Sequence, residues 1–239
     1  MKHKILLEDR QIHYTVRIHP RAKHIRIKVN PIDGVIITMP VDTKREASDV
    51  LREHAAWVLK QLDRWAGKVT YRKYVSGETL PFLGVAHTLQ IIQKANERIS
   101  TVKRQDETLI IRLANTIKEE TQREHIRKTL ERWYRKQARS YLTQRTEFWA
   151  NEIGVTYQRI RIKGQRTRWG SCSARGGINY NWRIMMAPPQ AVDYLIVHEL
   201  CHLIVMNHSP VFWGIVSVYC PAYLHWRHWL KENAFYLQL

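Results

Sequence analysis

Apolar and polar residues alternate over several short segments of this chain, beginning within its first forty positions. Residues 14–18 and 25–29 alternate in this way, and Asp33-Gly34 precedes the apolar run at 35–38. Alternation with a period of two is typical of half-buried strands, and an Asp-Gly pair is a hairpin signal. The pattern therefore predicts strands in these segments, with further strands at 109–113, 159–163 and around 178–186.

A helical period of about 3.6 residues replaces this alternation elsewhere. The longest such pattern spans residues 117–152, and shorter ones span 43–66 and about 189–206. Ser209-Pro210 is typical of a helix start, because proline is favoured at the first helical position. One more helix is expected after Pro221.

Strand-rich sequence gives way to helix-rich sequence near residue 115, with no low-complexity linker and no sequence repeat. The 239 residues are enough for one large domain or two small ones. We therefore expect an α+β protein. Its N-terminal domain, over 1–115, is predicted to be small and β-rich with one helix. The second domain, over 116–239, is predicted to be helical with a short sheet.

The charge balance indicates what the chain binds. Lys and Arg number 39 against 21 Asp and Glu, which gives a formal net charge of +18. Such a field attracts polyanions, including nucleic acids, and phosphorylated small molecules. A basic surface without a dedicated ligand is the simpler interpretation.

Cysteine usage and the absence of long apolar runs predict a cytoplasmic protein. Cys172, Cys201 and Cys220 lack the spacing of a disulfide framework and are expected to be free thiols in a reducing compartment. The opening MKHKILLEDR is not a signal-peptide pattern, and no run of about 18 uncharged apolar residues is present. No membrane partner is expected.

The segment from 198 to 202 reads His198-Glu199-Leu200-Cys201-His202. Residues four apart lie on one face of a helix, so both imidazoles can bind a single metal ion. Glu199 lies beside such an ion and can take a proton from an activated water. The segment therefore predicts a zinc-dependent hydrolase with His198 and His202 as ligands and Glu199 as general base. Cys201 faces another side of the helix and is expected to pack in the core.

A catalytic zinc usually takes three protein ligands and keeps one open position. His208 is the favoured third ligand because it follows Asn207, a residue that tolerates the left-handed turn ending a helix. The chain turns there, so the His208 side chain can return to the metal. His225, His228 and Glu232 stay open as alternatives.

Residues 159–175 carry six basic side chains and no acidic one. A strand here can form a cleft edge that pairs with an extended peptide, and Arg166 and Arg168 can bind phosphates. Gly170 follows Trp169, which is typical of a close backbone approach. The candidate substrate-binding residues are Arg166, Arg168, Trp169 and Tyr180, and Tyr180, Arg168 and His225 are candidate donors to the transition-state oxyanion.

Several of these segments together resemble the YgjP-like family of predicted metal-dependent hydrolases, which is related to the SprT-like and WLM metallopeptidases. They are RTRWGSC at 166–172, NYN at 179–181 with Arg183, HELCH at 198–202, HSPVFW at 208–213, WVLKQLDR at 57–64 and GETLPFLG at 77–84. The resemblance implies a zincin-like catalytic domain after the β-rich one. It also implies one zinc per chain on His198, His202 and His208, with Glu199 catalytic.

Three classes of function are compatible with such a site. A zinc metallopeptidase is favoured, with a peptide as substrate. A nucleoside triphosphate pyrophosphohydrolase would use the same metal site with arginines on the phosphates, although phosphate chemistry more often relies on magnesium and carboxylates. A protease acting on DNA-bound proteins would use the basic surface to bind nucleic acid.

Overall fold

A computed structural model of the chain describes residues 2–30, 34–65, 72–93, 98–165 and 167–239. The chain divides into two compact units, Met1–Tyr71 and Arg72–Leu239. The predicted mixture of sheets and helices is confirmed. Within the described residues, no helix combines the length and the apolarity needed to cross a membrane.

The first unit has a four-stranded sheet with two short helices after it. Its strands lie in the order β1-β2-β4-β3, and β2 and β4 run parallel while the outer pairs are antiparallel. The elements are β1 (Lys2–Leu7), β2 (Arg10–Ile18), β3 (Arg26–Asn30), β4 (Gly34–Met39), α1 (Ala47–Glu53) and α2 (Ala55–Trp65). Apolar residues of the sheet and of both helices form a core of their own.

The second unit begins with a sheet of the same topology. Its strand order is β5-β6-β8-β7, again with a parallel central pair and antiparallel outer pairs. The strands are β5 (Thr79–Phe82), β6 (Val85–Gln93), β7 (Thr101–Gln105) and β8 (Thr108–Leu113). The structure therefore contains a repeated strand arrangement that the sequence, which shows no repeat, did not indicate.

Helices and a small sheet follow. A three-stranded sheet has the order β10-β11-β9, in which β9 and β11 are parallel. The elements are α3 (Glu119–Ile153), β9 (Arg159–Lys163), β10 (Gly170–Cys172), β11 (Gly177–Asn181), a 3-10 turn (Trp182–Met186), α4 (Pro189–Cys201), α5 (Pro210–Tyr219) and α6 (Tyr223–Asn233).

Three predicted elements differ from the structure. The predicted helix at 43–66 is two helices that start at Ala47 and are interrupted at His54, whose backbone leaves helical geometry. The predicted strand around 178–186 ends at Asn181, because the Asn181 side chain accepts the Arg183 N–H and starts a 3-10 turn. The predicted helix at 189–206 ends at Cys201, where the chain turns.

The division between the units lies at Tyr71, whereas the change from strands to helices lies near residue 115. The reason is the packing of the second sheet. Its buried residues Leu89 and Leu109 share one continuous core with Leu130 and Tyr134 of α3. The second sheet therefore belongs physically to the unit that contains the helices.

This shared core makes a prediction for truncated chains. We expect the fragment 72–239 to unfold cooperatively, while 116–239, which lacks the second sheet, fails to fold. The Tyr134 hydroxyl would lose its acceptor, the Pro81 carbonyl at 2.7 Å, and the core would lose several large apolar side chains. Each large apolar side chain lost from a core costs about 2–5 kcal/mol, against a typical stability of about 5–15 kcal/mol. Thermal unfolding followed by circular dichroism checks this, and a cooperative transition in 116–239 would contradict it.

Candidate metal centre

Helix α4 carries the first two histidines. It begins with Pro189 at its first turn and is buried along most of its length. His198 lies in its last turn, and His202 is the residue that ends it, still with right-handed helical dihedral angles. The two ring centroids are 4.9 Å apart. The predicted one-turn spacing therefore holds, although the helix itself stops before His202.

A tight turn returns the chain to the helix end. The Ile204 and Val205 N–H groups donate to the Cys201 carbonyl, and the Ser209 N–H donates to the Asn207 side chain at 3.1 Å. Helix α5 then starts with Pro210 at its first turn. This turn places His208 against the other two histidines.

The three imidazoles form one cluster. Nε2 of His208 lies 3.2 Å from Nε2 of His198, and one ring nitrogen from each of His198, His202 and His208 lies within 4.8 Å of the others. Among the described residues, His225, His228 and Glu232 are not part of this cluster. The geometry therefore brings together the ligand set that the sequence favoured.

The donor set fits a zinc ion. Two bonds of about 2.0–2.1 Å at a tetrahedral angle separate their nitrogens by roughly 3.3 Å, close to the distance between the His198 and His208 atoms. Nδ1 of His202 lies 3.2 Å from the Val205 carbonyl, which can only accept a hydrogen bond. Nδ1 therefore carries the proton, and Nε2 of His202 keeps its lone pair for a metal.

Aromatic rings pack around the cluster. Phe212 stacks on His202 with centroids 4.5 Å apart, and Trp213 stacks on His208 at 5.5 Å. Trp213 also stacks with Tyr223 of α6, with ring centroids 5.3 Å apart. These contacts restrict the rotation of the imidazoles, so little ordering is needed for a metal to bind.

Burial favours the neutral form of two of the imidazoles, those of His198 and His202. The pKa of His198 is lowered to about 3, chiefly by burial and then by the charges of His202, His208 and Arg227. Burial also lowers the pKa of His202. Neutral imidazoles with available lone pairs are the form that binds zinc.

Glu199 is buried next to this cluster, with 4 % of its surface exposed. Burial raises the pKa of its carboxyl group to about 8. Its Oε2 atom has no hydrogen-bond partner among the described residues. A buried acceptor without a partner is costly and is characteristic of functional sites.

Strand β10 lies directly over this carboxyl group. A Cβ atom built at Gly170 would lie 2.3 Å from Oε1 of Glu199, closer than any real contact. Glycine is therefore required at 170 for Glu199 to keep its position. The close backbone approach predicted at this glycine is present, and its neighbour is the candidate base.

The candidate substrate-binding residues differ in their position relative to the cavity beside Glu199. Arg168 and Trp169 line a cavity of about 300 Å³ together with Gly170, His198 and Glu199. Arg166 lies outside the described residues.

Tyr180 is not brought to the cavity surface. Its side chain is completely buried, and its hydroxyl accepts a hydrogen bond from Thr146 at 3.1 Å. The reason is the register of β11, which pairs Tyr180 with Gly170 and turns its ring into the core.

Asn181 contributes to the site, although the sequence indicated no role for it beyond its place in the NYN element of the family resemblance. Its side-chain amide donates to the Gln165 carbonyl at 2.7 Å and to the Arg168 carbonyl at 3.0 Å, and its N–H donates to the Trp169 carbonyl at 2.7 Å. Asn181 thereby fixes the loop that carries the two cavity-lining residues. The NYN element of the sequence was the available signal.

Three further polar residues of the cavity lining were not predicted, namely Tyr194, Arg227 and Lys231. Tyr194 precedes His198 by one helical turn, so its position could have been inferred from the spacing. Arg227 and Lys231 belong to α6, and only the packing of α6 against α4 brings them to the site.

The contact at Gly170 predicts the effect of a single methyl group. In Gly170→Ala, the Glu199 carboxyl group must move, and a displacement of about 1 Å in a reacting group can cost about 10²-fold in turnover. The metal content should be unchanged, because the histidines are not touched. Gly214→Ala is the matched control, since a Cβ atom there meets nothing within 4 Å. Equal kcat values for both variants would contradict the prediction.

Comparison with protein-family models identifies a family for this chain. A family model described as YgjP-like, metallopeptidase domain, matches residues 23–233. No curated protein matches the chain.

Two solved structures are similar to part of it. The crystal structure of the metallopeptidase zymogen of Pyrococcus abyssi abylysin shares 19% identity and a TM-score of 0.36, covering 39% of this chain and 95% of that one. The zymogen of Methanocaldococcus jannaschii jannalysin shares 17% identity and a TM-score of 0.33, covering 38% and 95%. The family match, rather than these remote likenesses, classifies the chain.

The chain therefore carries a metallopeptidase domain and is a hydrolytic enzyme of the metal-dependent class. Because the match spans most of its length, the protein belongs to the YgjP-like family. The resemblance recognised in the sequence is confirmed.

Proposed function

We propose that this protein is a zinc metallopeptidase whose catalytic region, over 116–239, is zincin-like and shares its core with the second sheet. His198, His202 and His208 would hold one zinc ion per chain, and Glu199 would act as general base. The observation that carries the proposal is the cluster of three imidazoles, whose ring nitrogens lie within 4.8 Å of one another, together with a buried carboxyl group, that of Glu199, in the same cavity lining as His198. A purely structural zinc site would not need this carboxyl group.

When bound, zinc polarises the scissile carbonyl group and lowers the pKa of a water molecule toward about 7. Burial alone favours the neutral form of Glu199, but a cation held by the neighbouring histidines would favour the carboxylate. That carboxylate would take the proton of the attacking water and pass it to the leaving amine. Its burial keeps bulk water away, which strengthens the electrostatic interactions at the reacting centre. Arg168 and Trp169 hold the substrate along the cavity.

The charge of +18 and the arginine-rich segment at 159–175 favour a nucleoside triphosphate as the second candidate substrate. Nucleic acid is the third candidate, as the partner of a DNA-associated protease. Nucleoside triphosphates and DNA are both included in the test, because the same metal site would serve triphosphate hydrolysis or a DNA-associated protease.

The experiment measures metal and activity together. The purified chain is assayed for zinc, stripped with a chelator and restored, and each form is incubated with an unfolded protein, nucleoside triphosphates or DNA. We expect about one zinc per chain and cleavage of the unfolded protein that is lost with the metal and regained with it. Hydrolysis of triphosphates alone, or a fully active metal-free form, would exclude the peptidase function.

A further inference from the structure

The cavity beside Glu199 contains an unusual concentration of positive charge. Arg168, Arg227 and Lys231 all line it and are all exposed. Glu199 is the one carboxylate among its described lining residues. None of the three cations forms an ion pair with a carboxylate in the described part of the chain. Their charges are therefore available to a ligand.

Two of the cations act from the same face of one helix. Arg227 and Lys231 are four residues apart on α6, a spacing that places their side chains one turn apart on one side. Arg168 comes from the loop before β10, so the cavity receives cations from two separate elements. Such an arrangement suits a ligand that is anionic at one end.

Arg227 is held in place before any ligand arrives. Its guanidinium carbon lies 4.6 Å from the centroid of the Trp213 ring, and Trp213 is itself stacked with His208 and with Tyr223. This stacking reduces the conformational entropy that Arg227 loses on binding an anion. The Arg168 backbone is fixed in turn by the Asn181 side chain.

The walls of the cavity favour a compact anion. Leu195 and Leu230 are buried, and Trp169 is half-buried, so the walls between the cations are largely apolar. Apolar walls reduce solvent screening and strengthen charge-assisted hydrogen bonds. A volume of about 300 Å³ lies at the small end of ligand pockets and matches one amino-acid residue better than a nucleotide.

We propose that this cavity is an anion subsite that binds a carboxylate of the substrate, so that the enzyme prefers acidic peptides. The carboxylate is either an Asp or Glu side chain near the scissile bond or the terminal carboxylate of the peptide. The inference rests on the proposed function and deepens it by naming the class of peptide.

Binding without turnover tests the subsite separately from catalysis. The protein is the zinc-loaded full chain with Glu199→Gln. The probes are fluorescein-labelled alanine hexapeptides with one Glu or one Gln at each position in turn, each prepared as a C-terminal acid and as an amide. Fluorescence anisotropy gives the affinities. A Glu-over-Gln preference retained in the amides identifies a side-chain carboxylate, and an acid-over-amide preference identifies the terminus.

We expect an acidic probe to bind about tenfold tighter than its neutral counterpart, and the double variant Arg227→Gln/Lys231→Gln to lose this preference. Lys231→Gln alone should lose part of it without disturbing the stacking on Trp213. Arg139→Gln, which removes an exposed charge of α3 outside the cavity, is the matched control and should keep the preference.

Three results would overturn the subsite. They are equal binding of acidic and neutral probes, a preference that survives the double variant, and triphosphate binding that depends on Arg227 and Lys231 where no peptide binds. Peptide cleavage by the wild-type chain is measured in parallel. A chain that binds acidic peptides at this cavity but cleaves none would refute the peptidase function and leave the subsite standing.

Discussion

Replacing Glu199 with glutamine should abolish most turnover while leaving the metal in place. Glutamine has the shape of the carboxyl group but cannot accept the water proton, and loss of general-base catalysis typically costs about 10²–10⁴-fold in rate. The three histidines do not depend on Glu199 for their position, since they are held by Val205, Phe212 and Trp213. Zinc content measured by mass spectrometry and kcat on an unfolded protein check both parts.

The matched control is Glu152→Gln, which removes an exposed carboxyl group from α3. It should keep wild-type kcat. If Glu199→Gln kept more than about a tenth of wild-type activity with full zinc occupancy, the assignment of the base would be wrong, because even modest general-base catalysis exceeds this factor. A loss of zinc with the activity would instead give Glu199 a role in holding the metal.

Replacing His208 with alanine should remove the metal itself. Its Nε2 atom faces that of His198 at 3.2 Å, so its loss leaves the cluster with two ligands. Even partners that only orient a ligand are worth about 10–100-fold in affinity, and loss of a ligand should exceed about 100-fold. Competition with a zinc-binding dye measures this affinity.

His225→Ala is the control for this experiment, because His225 is an exposed histidine of α6 and was an alternative third ligand in the sequence. It should bind zinc as the wild type does. Unchanged affinity in His208→Ala together with weakened binding in His225→Ala would reverse the assignment. Circular dichroism spectra of both variants show that any loss is local.

The sequence predicted those parts of the site that depend on local spacing. The one-turn separation of His198 and His202 survives even though α4 ends earlier than predicted, because His202 still has helical dihedral angles. His208 was favoured because a turn was expected after Asn207, and the turn is present. Local geometry and side-chain chemistry were enough for these three residues to be proposed.

The remaining cavity residues and the order of the strands depend on long-range packing, which no local sequence pattern specifies. Arg227 reaches the cavity only because α6 packs on α4, and Tyr180 leaves it only because the register of β11 turns it inward. The repeated strand order of the two four-stranded sheets is likewise a matter of pairing between distant segments. Alternation predicts that a segment is a strand but does not specify its neighbours.

The contact between Gly170 and Glu199 restricts how this protein can change over generations. A side chain at 170 is incompatible with the Glu199 carboxyl group in its present position. With Glu199 as the proposed general base, we expect a change at either position alone to lower activity. We expect active descendants to retain both. A lineage that abandons catalysis loses the reason for the glycine, and substitutions at 170 and 199 should accumulate there together. The residues at these two positions should therefore distinguish catalytically active homologues from inactive ones by sequence alone.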